Sequence, residues 1–278
     1  MDTVNEEKYS NGQLKFRVNY KNGKEDGLSE WWFENGQLSI RRNYKNGLLD
    51  GLSEQWYEDG KLRIHINYKN DSKDGMCELW NRNGQLKERG NFKDGKKDGV
   101  FEKWDENGQP VFRINYKNGQ RDGLCEVWHD NGKMKFRDNY KEGTLDGLSE
   151  EWHENGQLQS RCVYKNCKFD GVYEEWYENG NLKSRINYKN GYLDGLFKEF
   201  HENGQLANQR NYHKNKLDGI CERWDENGQL KFHGNYKDGK LEVVSSGGTK
   251  MEWLLNVVPT RMINWLVKIL NTGTQENV

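Results

Sequence analysis

The stretch NYKNGKEDGLSEWWFENGQLSIRRNYKN, residues 19–46, runs directly into a second copy of itself, NYKNGLLDGLSEQWYEDGKLRIHINYKN, at residues 43–70. Both copies keep Asn-Tyr-Lys, an Asp-Gly pair, a Trp and a further Asn-Gly or Asp-Gly pair at the same distances. The phrase returns every 24 residues from about residue 9 to residue 240 without an insertion. Such a fixed period predicts a repeat protein of nine to ten units, each of which buries its apolar side chains against its neighbours.

Two rows of aromatic residues follow the same period. Only 33% of the residues are hydrophobic and 31% are charged, a composition that is by itself typical of a disordered chain. Rings at fixed intervals instead predict a structural aromatic ladder that packs the array, with a ligand-facing aromatic groove as the alternative. The ladder consists of Trp32, Trp56, Trp80, Trp104, Trp128, Trp152, Trp176 and Trp224, and of Tyr44, Tyr68, Tyr116, Tyr140, Tyr164 and Tyr188.

Each repeat has the pattern of a β-hairpin. Residues with bulky side chains alternate with polar ones from Leu62 to Tyr68, and this period of two is typical of strands. The Asn-Gly pairs of ENGQ and KNGK predict two-residue type I′ turns, in which both central residues have positive φ. The fold class is therefore an all-β repeat, an elongated and twisted antiparallel meander with a short C-terminal helical segment. The hairpin-turn glycines are Gly36, Gly60, Gly84, Gly108, Gly132, Gly156, Gly180, Gly204 and Gly228.

The turns also predict which residues face each other. Pairing about the Asn35-Gly36 turn places Glu30 opposite Arg41, and equivalent pairs of Glu with Arg or His recur in the following six repeats. Opposite charges across neighbouring strands specify the register more than they add stability. Because successive turns lie alternately 11 and 13 residues apart, we expect either a bulge near Gly51 and its equivalents or a steady shear of the sheet.

The phrase NYKNGKEDGLSEWWFENGQL, residues 19–38, resembles the MORN repeat in its variant form from bacteria and large DNA viruses. In-phase copies cover about residues 9–240, nearly the whole chain. The resemblance implies antiparallel hairpins stacked as a meander, with roles in scaffolding, self-association or contact with phospholipid membranes. The variant subfamily also includes antitoxin components of toxin–antitoxin systems. This chain departs from many members of the family by having Asp26 and Asp50 where they have His.

Two other repeat families share part of this pattern. Choline-binding cell-wall repeats also form aromatic hairpins, but they belong to secreted proteins, and the N-terminus MDTVNEEKYS has no apolar run of the kind found in a secretory signal. The YD repeats of toxin-enclosing β-shells contain phrases such as YENGNL, residues 177–182, within much longer chains. Both remain alternatives to the MORN resemblance.

Charged residues are arranged in rows. One lysine follows the second aromatic row in almost every repeat, and a row of glutamates precedes the ENGQ-type turns at the opposite edge. The simplest interpretation is that these charges keep the edges of the sheet solvated. The more specific interpretation is that the lysines bind anions or lipid headgroups. The formal net charge of −1 argues against a nucleic-acid partner. The candidate anion or lipid contacts are Lys45, Lys69, Lys93, Lys117, Lys141, Lys165 and Lys189.

No residue pattern indicates catalysis, a cofactor or a metal site. The chain lacks a phosphate-binding loop, a nucleophile elbow and metal-ligand spacing. Three histidines (His129, His153 and His201) share a repeat position with tyrosines, which suggests a tolerant exposed site. Cys162 and Cys167 flank one turn as a weak candidate pair for a metal or a disulfide, and an odd number of cysteines favours a reducing compartment. We therefore expect a protein that is not an enzyme.

The chain divides into an N-terminal extension (residues 1–8), the repeat array (9–243), a flexible linker (244–249), an amphipathic helix (250–273) and a tail (274–278). The helix is too short and too interrupted by charges to span a membrane. We expect it to cap the last strand, to lie in a membrane interface or to dock on a partner. Its candidate contact residues are Trp253, Met262, Trp265, Leu266 and Ile269.

These features favour a non-enzymatic scaffold or protein-binding module with a protein partner. The first alternative is a peripheral protein that binds anionic phospholipid through the lysine row and the C-terminal helix. The second is an antitoxin-like protein that masks its partner. Homo-association is compatible with all three, and the expected location is cytoplasmic, at or away from a membrane.

Overall fold

The computed structural model describes residues 2–245 as one antiparallel sheet. Each strand pairs with the strand before it and the strand after it, so the chain is an open meander. β9 and β10 are two parts of one interrupted strand, as are β16 and β17. The strands are β1 Asp2–Lys8, β2 Leu14–Lys21, β3 Lys24–Trp32, β4 Leu38–Lys45, β5 Leu48–Trp56, β6 Leu62–Lys69, β7 Ser72–Trp80, β8 Leu86–Lys93, β9 Lys96–Lys97, β10 Gly99–Trp104, β11 Pro110–Lys117, β12 Gln120–Trp128, β13 Met134–Lys141, β14 Thr144–Trp152, β15 Leu158–Lys165, β16 Lys168–Phe169, β17 Gly171–Trp176, β18 Leu182–Lys189, β19 Tyr192–Phe200, β20 Leu206–His213, β21 Lys216–Trp224, β22 Leu230–Lys237 and β23 Lys240–Ser245.

The register follows the charge pattern of the sequence. Glu30 is the Cα partner of Arg41, and the equivalent glutamates of β5, β7, β10, β12, β14 and β17 face the expected basic residues. In the ninth repeat the pair is Lys198 and Gln209. The predicted register is therefore confirmed.

The turns at the two ends of the strands, which form the two long edges of the sheet, are of different types. The turns at one of these edges differ from the prediction. At Asn46-Gly47 both residues have positive φ, 53° and 87°, as a type I′ turn requires. At the other edge only Gly36 has positive φ, 84°. There Phe33 donates its N–H to the Gln37 carbonyl at 2.8 Å, which closes a three-residue loop. The type I′ prediction was wrong for the ENGQ edge, because one extra residue in the following strand lets a type I turn end in a left-handed glycine.

A bulge takes up the longer spacing between turns. Between β4 and β5 the register shifts by two residues from Arg42 to Tyr44. Gly51 lies in the extra segment with φ 109°, and a Cβ there would sit 3.2 Å from the Cβ of Asn43. Asn43 donates from Nδ2 to the Leu52 carbonyl at 2.9 Å, which satisfies a backbone oxygen of the bulge. The sheet therefore contains the expected bulge, which recurs in the other hairpins of this type up to that of β20 and β21. Between β22 and β23 the register shifts by one residue only.

Most buried apolar side chains lie on one face of the sheet, here named the seam face, which carries Ser29, Arg42, Tyr44 and their equivalents. Side chains alternate along a strand, so Glu30 and Arg41 point to the other face, the ladder face. The most enclosed part of the seam face is around Ile186, Tyr188 and Phe197. The buried apolar residues of this face are Val18, Cys77, Phe101, Ile114, Cys125, Cys162, Tyr164, Ile186, Tyr188, Phe197 and Cys221.

The two ends of the described chain are edge strands. The N-terminal extension expected at residues 1–8 forms β1, whose side chains are all exposed. The last strand, β23, runs to Ser245, two residues into the expected linker. The rest of that linker, the predicted helix with Trp253, Met262, Trp265, Leu266 and Ile269, and the tail lie outside the described residues. Within residues 2–245 no helix is long and apolar enough to cross a membrane.

Candidate binding surfaces

The ladder face carries a chain of alternating carboxylates and guanidinium groups that crosses from strand to strand. Glu102 accepts from Arg89 Nη2 at 2.6 Å and from Arg113 Nε at 2.9 Å. Arg113 also lies 3.7 Å from Glu126, which pairs onward with Arg137 at 3.1 Å. From β8 to β13 these charges therefore link each strand to the next.

The carboxylates of this chain are more buried than the arginines. The side chain of Glu102 is 11% exposed, whereas those of Arg89 and Arg113 are about half exposed. Burial raises the pKa of Glu102, but the hydrogen bonds from Arg89 and Arg113 outweigh that effect and hold its pKa below the ordinary value. The carboxylate is thus kept ionised beneath a layer of guanidinium groups.

The tryptophan row flanks this chain of charges. All eight predicted tryptophans and Phe200 are half-buried. The guanidinium of Arg41 lies 5.6 Å from the ring centre of Trp56, and Arg89 lies 5.7 Å from that of Trp104. Such contacts pack part of the indole surface against the arginines. The predicted tyrosines lie on the seam face instead, where Tyr164 and Tyr188 are buried and the others are half-buried.

An exposed row of apolar side chains runs beside the charges on the ladder face. Leu28, Met76, Val100, Leu148 and Ile220 are between 37% and 44% exposed. With Leu52, Leu124, Val172 and Leu196 they occupy one repeat position, here named the apolar row. Sequence reasoning did not single out this row as a surface, although its signal is present: the position holds an apolar residue in nine successive repeats.

The apolar row and the charges meet in a shallow depression. Its lining includes Met76 and Val100 from the apolar row, together with Arg89, Glu102 and Arg113. The depression is open to solvent and brings apolar side chains next to ordered charges.

The shared position of histidines and tyrosines is a structural contact between repeats. Tyr57 donates its hydroxyl to the Trp80 carbonyl at 2.9 Å. His129 Nε2 lies 3.0 Å from the Trp152 carbonyl, and a carbonyl acceptor requires the proton on that nitrogen. His153 and His201 make the same contact with the next repeat. The prediction of a tolerant exposed site was wrong, because these side chains are partly buried and bridge two repeats.

The type I′ turns form an edge, here named the lysine edge, that carries both the lysine row and the carboxylates of the Asp-Gly pairs. The seven predicted lysines end their strands and are exposed. Among residues 2–242 none of the seven has an ion-pair partner within 4 Å. The Asp-Gly carboxylates on the same edge instead cap the neighbouring turns, as where Asp26 accepts the Asn46 N–H at 3.0 Å. The ammonium groups of these seven lysines therefore face solvent, whereas Lys237, at the equivalent position of the last repeat, pairs with Asp218 at 2.9 Å.

The three-residue loops form an acidic edge at the opposite ends of the strands, here named the glutamate edge. Its loops are linked by asparagines, since Asn35 donates from Nδ2 to the Glu58 carbonyl at 3.0 Å and accepts the Gln37 N–H. The glutamate side chains are exposed and have no ion-pair partner in the described part of the chain. They are Glu34, Glu58, Glu106, Glu154, Glu178, Glu202 and Glu226.

Four of the five cysteines are buried. All five are free; Cys162 is buried on the seam face, whereas Cys167 is exposed in a turn. Burial raises the pKa of Cys125 to about 11 and that of Cys162 to about 12, which disfavours the nucleophilic thiolate. Nearby, Ser149 donates to the Asp138 carboxylate at 2.6 Å, and burial raises the pKa of Asp138. The described residues contain no cluster of three or more potential metal ligands.

Comparison with known proteins identifies the repeat. The model of the MORN repeat variant matches ten consecutive segments: residues 1–22, 25–46, 49–70, 73–94, 97–118, 121–142, 145–166, 169–190, 193–214 and 217–238. No curated protein matches the chain. Among solved structures, a chain from "Crystal Structure of TcdB2-TccC3" is similar over 88% of this chain and 17% of its own length, with 10% sequence identity and a TM-score of 0.21. On the ten matched repeats, this chain belongs to the MORN repeat variant family.

Proposed function

We propose that this protein is a non-enzymatic scaffold that binds an extended protein partner along its ladder face. MORN repeats suggest a repeat scaffold or binding module. The observation that carries this proposal is the apolar row, which holds an apolar residue in nine successive repeats, five of them 37% to 44% exposed, beside the paired glutamates and arginines of the ladder face.

The chemistry of this face fits a partner strand or helix with its own alternation of apolar and charged residues. The apolar row supplies area that gains free energy on leaving water, about 25 cal/mol per Å². The arginines are partly exposed and already ordered by the buried glutamates, so a partner carboxylate would meet groups that lose little conformational freedom. Repetition over many strands lets weak contacts add along the length of the partner.

The test is a comparison of three immobilised proteins in affinity capture from the native host. The first is the wild type, and the second carries Met76→Asp, Val100→Asp and Leu148→Asp. The third is a matched control with Leu48→Asp, Tyr192→Asp and Leu241→Asp, at residues that are equally exposed but lie at the lysine edge. We expect a protein that the wild type and the control retain and the apolar-row variant loses. Equal retention by all three would refute the assignment of the ladder face.

A second candidate function is binding to an anionic membrane surface, which the unpaired lysines of the lysine edge favour. Liposome flotation with and without anionic lipid, on the full chain and on a version ending at Val243, separates the contributions of the array and of residues 244–278. Flotation of the shortened chain that is lost on Lys93→Glu, Lys117→Glu and Lys141→Glu would support the lysine edge. The antitoxin-like role remains an expectation from the family resemblance.

A further inference from the structure

The alternation of acidic and basic residues on the ladder face is interrupted in the ninth repeat. From Glu6 to Arg185, every glutamate at this position has an arginine or a histidine as its Cα partner on the neighbouring strands. In β19 the position holds Lys198, whose Cα partners are Arg185 and Gln209. A glutamate returns in β21, with Glu222. Two basic residues and an amide therefore stand side by side where the interior glutamates of the preceding repeats lie between two basic residues.

This arrangement leaves the two cations poorly neutralised. Arg185 is 3.6 Å from Glu174 and its side chain is 58% exposed, whereas Arg161 one repeat earlier is 3.1 Å from its glutamate and 47% exposed. In the described part of the chain, residues 2–242, no carboxylate oxygen lies within 4 Å of the Lys198 ammonium. Like charges directly opposite each other on neighbouring strands destabilise a sheet. A departure from a regular pattern at such a cost is typical of a functional site.

We propose that Arg185, Lys198 and Gln209, here named the cation gap, bind a carboxylate of the protein partner. The partner group would take the place that a glutamate of this chain takes in the preceding repeats. Guanidinium, ammonium and amide groups all donate hydrogen bonds, and the two charged donors make the stronger ones. This inference rests on the proposed function and adds to it the chemistry of one contact.

Apolar side chains border the cation gap along its own strand. Leu196 of the apolar row and Phe200 of the tryptophan row lie two residues before and after Lys198, so all three side chains are on the ladder face. Leu196 and Phe200 are half-buried. A partner segment that carries an acidic residue between apolar ones therefore fits this site. Because the preceding repeats have a paired glutamate at the position of Lys198, the gap also fixes where along the array the partner binds.

The surroundings of the cation gap favour a single carboxylate over an extended anionic surface. On one side Glu174 is the Cα partner of Arg185, and on the other Glu222 is the Cα partner of Gln209. Each glutamate is two strands from Lys198, about 9–10 Å at the usual strand spacing, so a group bound at Lys198 is closer to the cations. A membrane or a nucleic acid would place further negative charges over both glutamates, which repel them.

The test is fluorescence anisotropy with two labelled probe peptides, one of alternating leucine and glutamate and one of alternating leucine and glutamine. The proteins compared are the wild type, Lys198→Glu, Lys198→Arg and Lys135→Glu. The last is a matched control, since it makes the same change of charge as Lys198→Glu at an exposed lysine in β13. Thermal unfolding of the same proteins without peptide measures the cost of the cation gap in the free protein.

We expect the wild type, Lys198→Arg and the control to bind the glutamate peptide at least about fivefold more tightly than the glutamine peptide at low salt. Lys198→Glu should lose this preference, because its own carboxylate fills the gap. The preference should shrink between about 10 mM and about 1 M salt, as the Debye length falls from about 30 Å to about 3 Å. Lys198→Glu should also melt about 1–3 °C above the wild type, since it restores the alternation of charges.

Equal binding of the two peptides by the wild type, or no binding of either, would overturn the proposal, as would a melting temperature of Lys198→Glu at or below that of the wild type. So would a preference that Lys198→Glu keeps, or one that the control loses as well, which would make net charge the cause. Flotation of the wild type with anionic liposomes that is lost in Lys198→Glu would assign the gap to lipid instead. The apolar-row variant retains the cation gap and should keep the preference for glutamate, so the two proposals can fail separately.

Discussion

At the scale of single residues, the seam face is packed by matching large side chains with small ones across neighbouring strands. Phe101 is 2% exposed and takes the position that Ser29, Ser53 and Cys77 hold in earlier repeats. The strand before it has Gly90 at the facing position, where a Cβ would lie 2.4 Å from the Phe101 ring. The ring also makes edge contacts with aromatic neighbours on both sides. The size of the side chain that fits at this position of one repeat therefore depends on the residues that face it in the neighbouring strands.

The pair formed by Gly90 and Phe101 should behave as one packing unit. We expect Gly90→Val to cost about 1–3 kcal/mol of unfolding free energy, because the new side chain enters the space of the ring. The double variant Gly90→Val, Phe101→Cys should cost less than the sum of the two single changes by at least ~1 kcal/mol, since it approaches the natural pair of Ile66 with Cys77. Denaturant titration followed by tryptophan fluorescence measures all three. Additive costs would show that the two positions are independent.

At the scale of the hairpin, the Asn-Gly pairs at the two edges have different structural roles. Asn46 has a left-handed backbone, φ 53°, in a two-residue turn. Asn35 has no positive φ, and its side chain instead bonds the Gln37 N–H and the Glu58 carbonyl. Asn46 is therefore needed for its left-handed backbone conformation, whereas Asn35 is needed for the hydrogen bonds of its side-chain amide.

Glycine and alanine substitutions should separate these two roles. At Asn46 we expect glycine to be nearly neutral and alanine to cost about 1–2 kcal/mol, because alanine resists the left-handed region. At Asn35 both replacements remove the same two hydrogen bonds, so both should cost about 1–2 kcal/mol. Thermal unfolding of the four variants tests this directly. The interpretation fails if glycine is tolerated equally at both positions.

At the scale of the whole molecule, ion pairs between glutamates and arginines join several neighbouring strands across the ladder face. An interior carboxylate such as Glu102 is bonded by arginines from both neighbouring strands. Glu6 in the edge strand β1 has an arginine on one side, Arg17 at 2.6 Å, and its side chain is 41% exposed. The same ion pair is therefore enclosed inside the array and solvated at its end.

Removal of the interior carboxylate charge should cost far more than removal of the terminal one. We expect Glu102→Gln to lose about 1–3 kcal/mol of stability near neutral pH, because two buried charge-assisted bonds weaken. The matched control Glu6→Gln should stay within ~0.5 kcal/mol.

The effect of Glu102 should also depend on pH with a defined sign. Its pKa is lower in the folded than in the unfolded chain, so its stabilising effect is present above the unfolded value and is lost as the pH falls through the folded value. The difference between wild type and Glu102→Gln should therefore shrink as the pH falls below ~4. A difference that is constant across that range would show that the charge of Glu102 does not contribute.

The sequence by itself determined the repeat, the strands, the cross-strand register and the family, because each of these follows from the spacing of residues along the chain. A period of two specifies a strand, and an opposite charge on the next strand specifies its partner, as with Glu30 and Arg41. The counts of 11 and 13 residues between turns required either a bulge or a steady shear of the sheet, and did not decide between the two.

Only the tertiary structure decided the loop at Asn35, the role of the histidines and the use of each face. The loop type depends on a one-residue offset between β3 and β4, which Asn-Gly alone does not encode. The contact of His129 with the Trp152 carbonyl depends on how one hairpin is stacked on the next. The exposure of the apolar row was also decided by the tertiary structure. A single sheet can pack only one of its two faces against itself, and the alternating pattern of the sequence does not say which face that is.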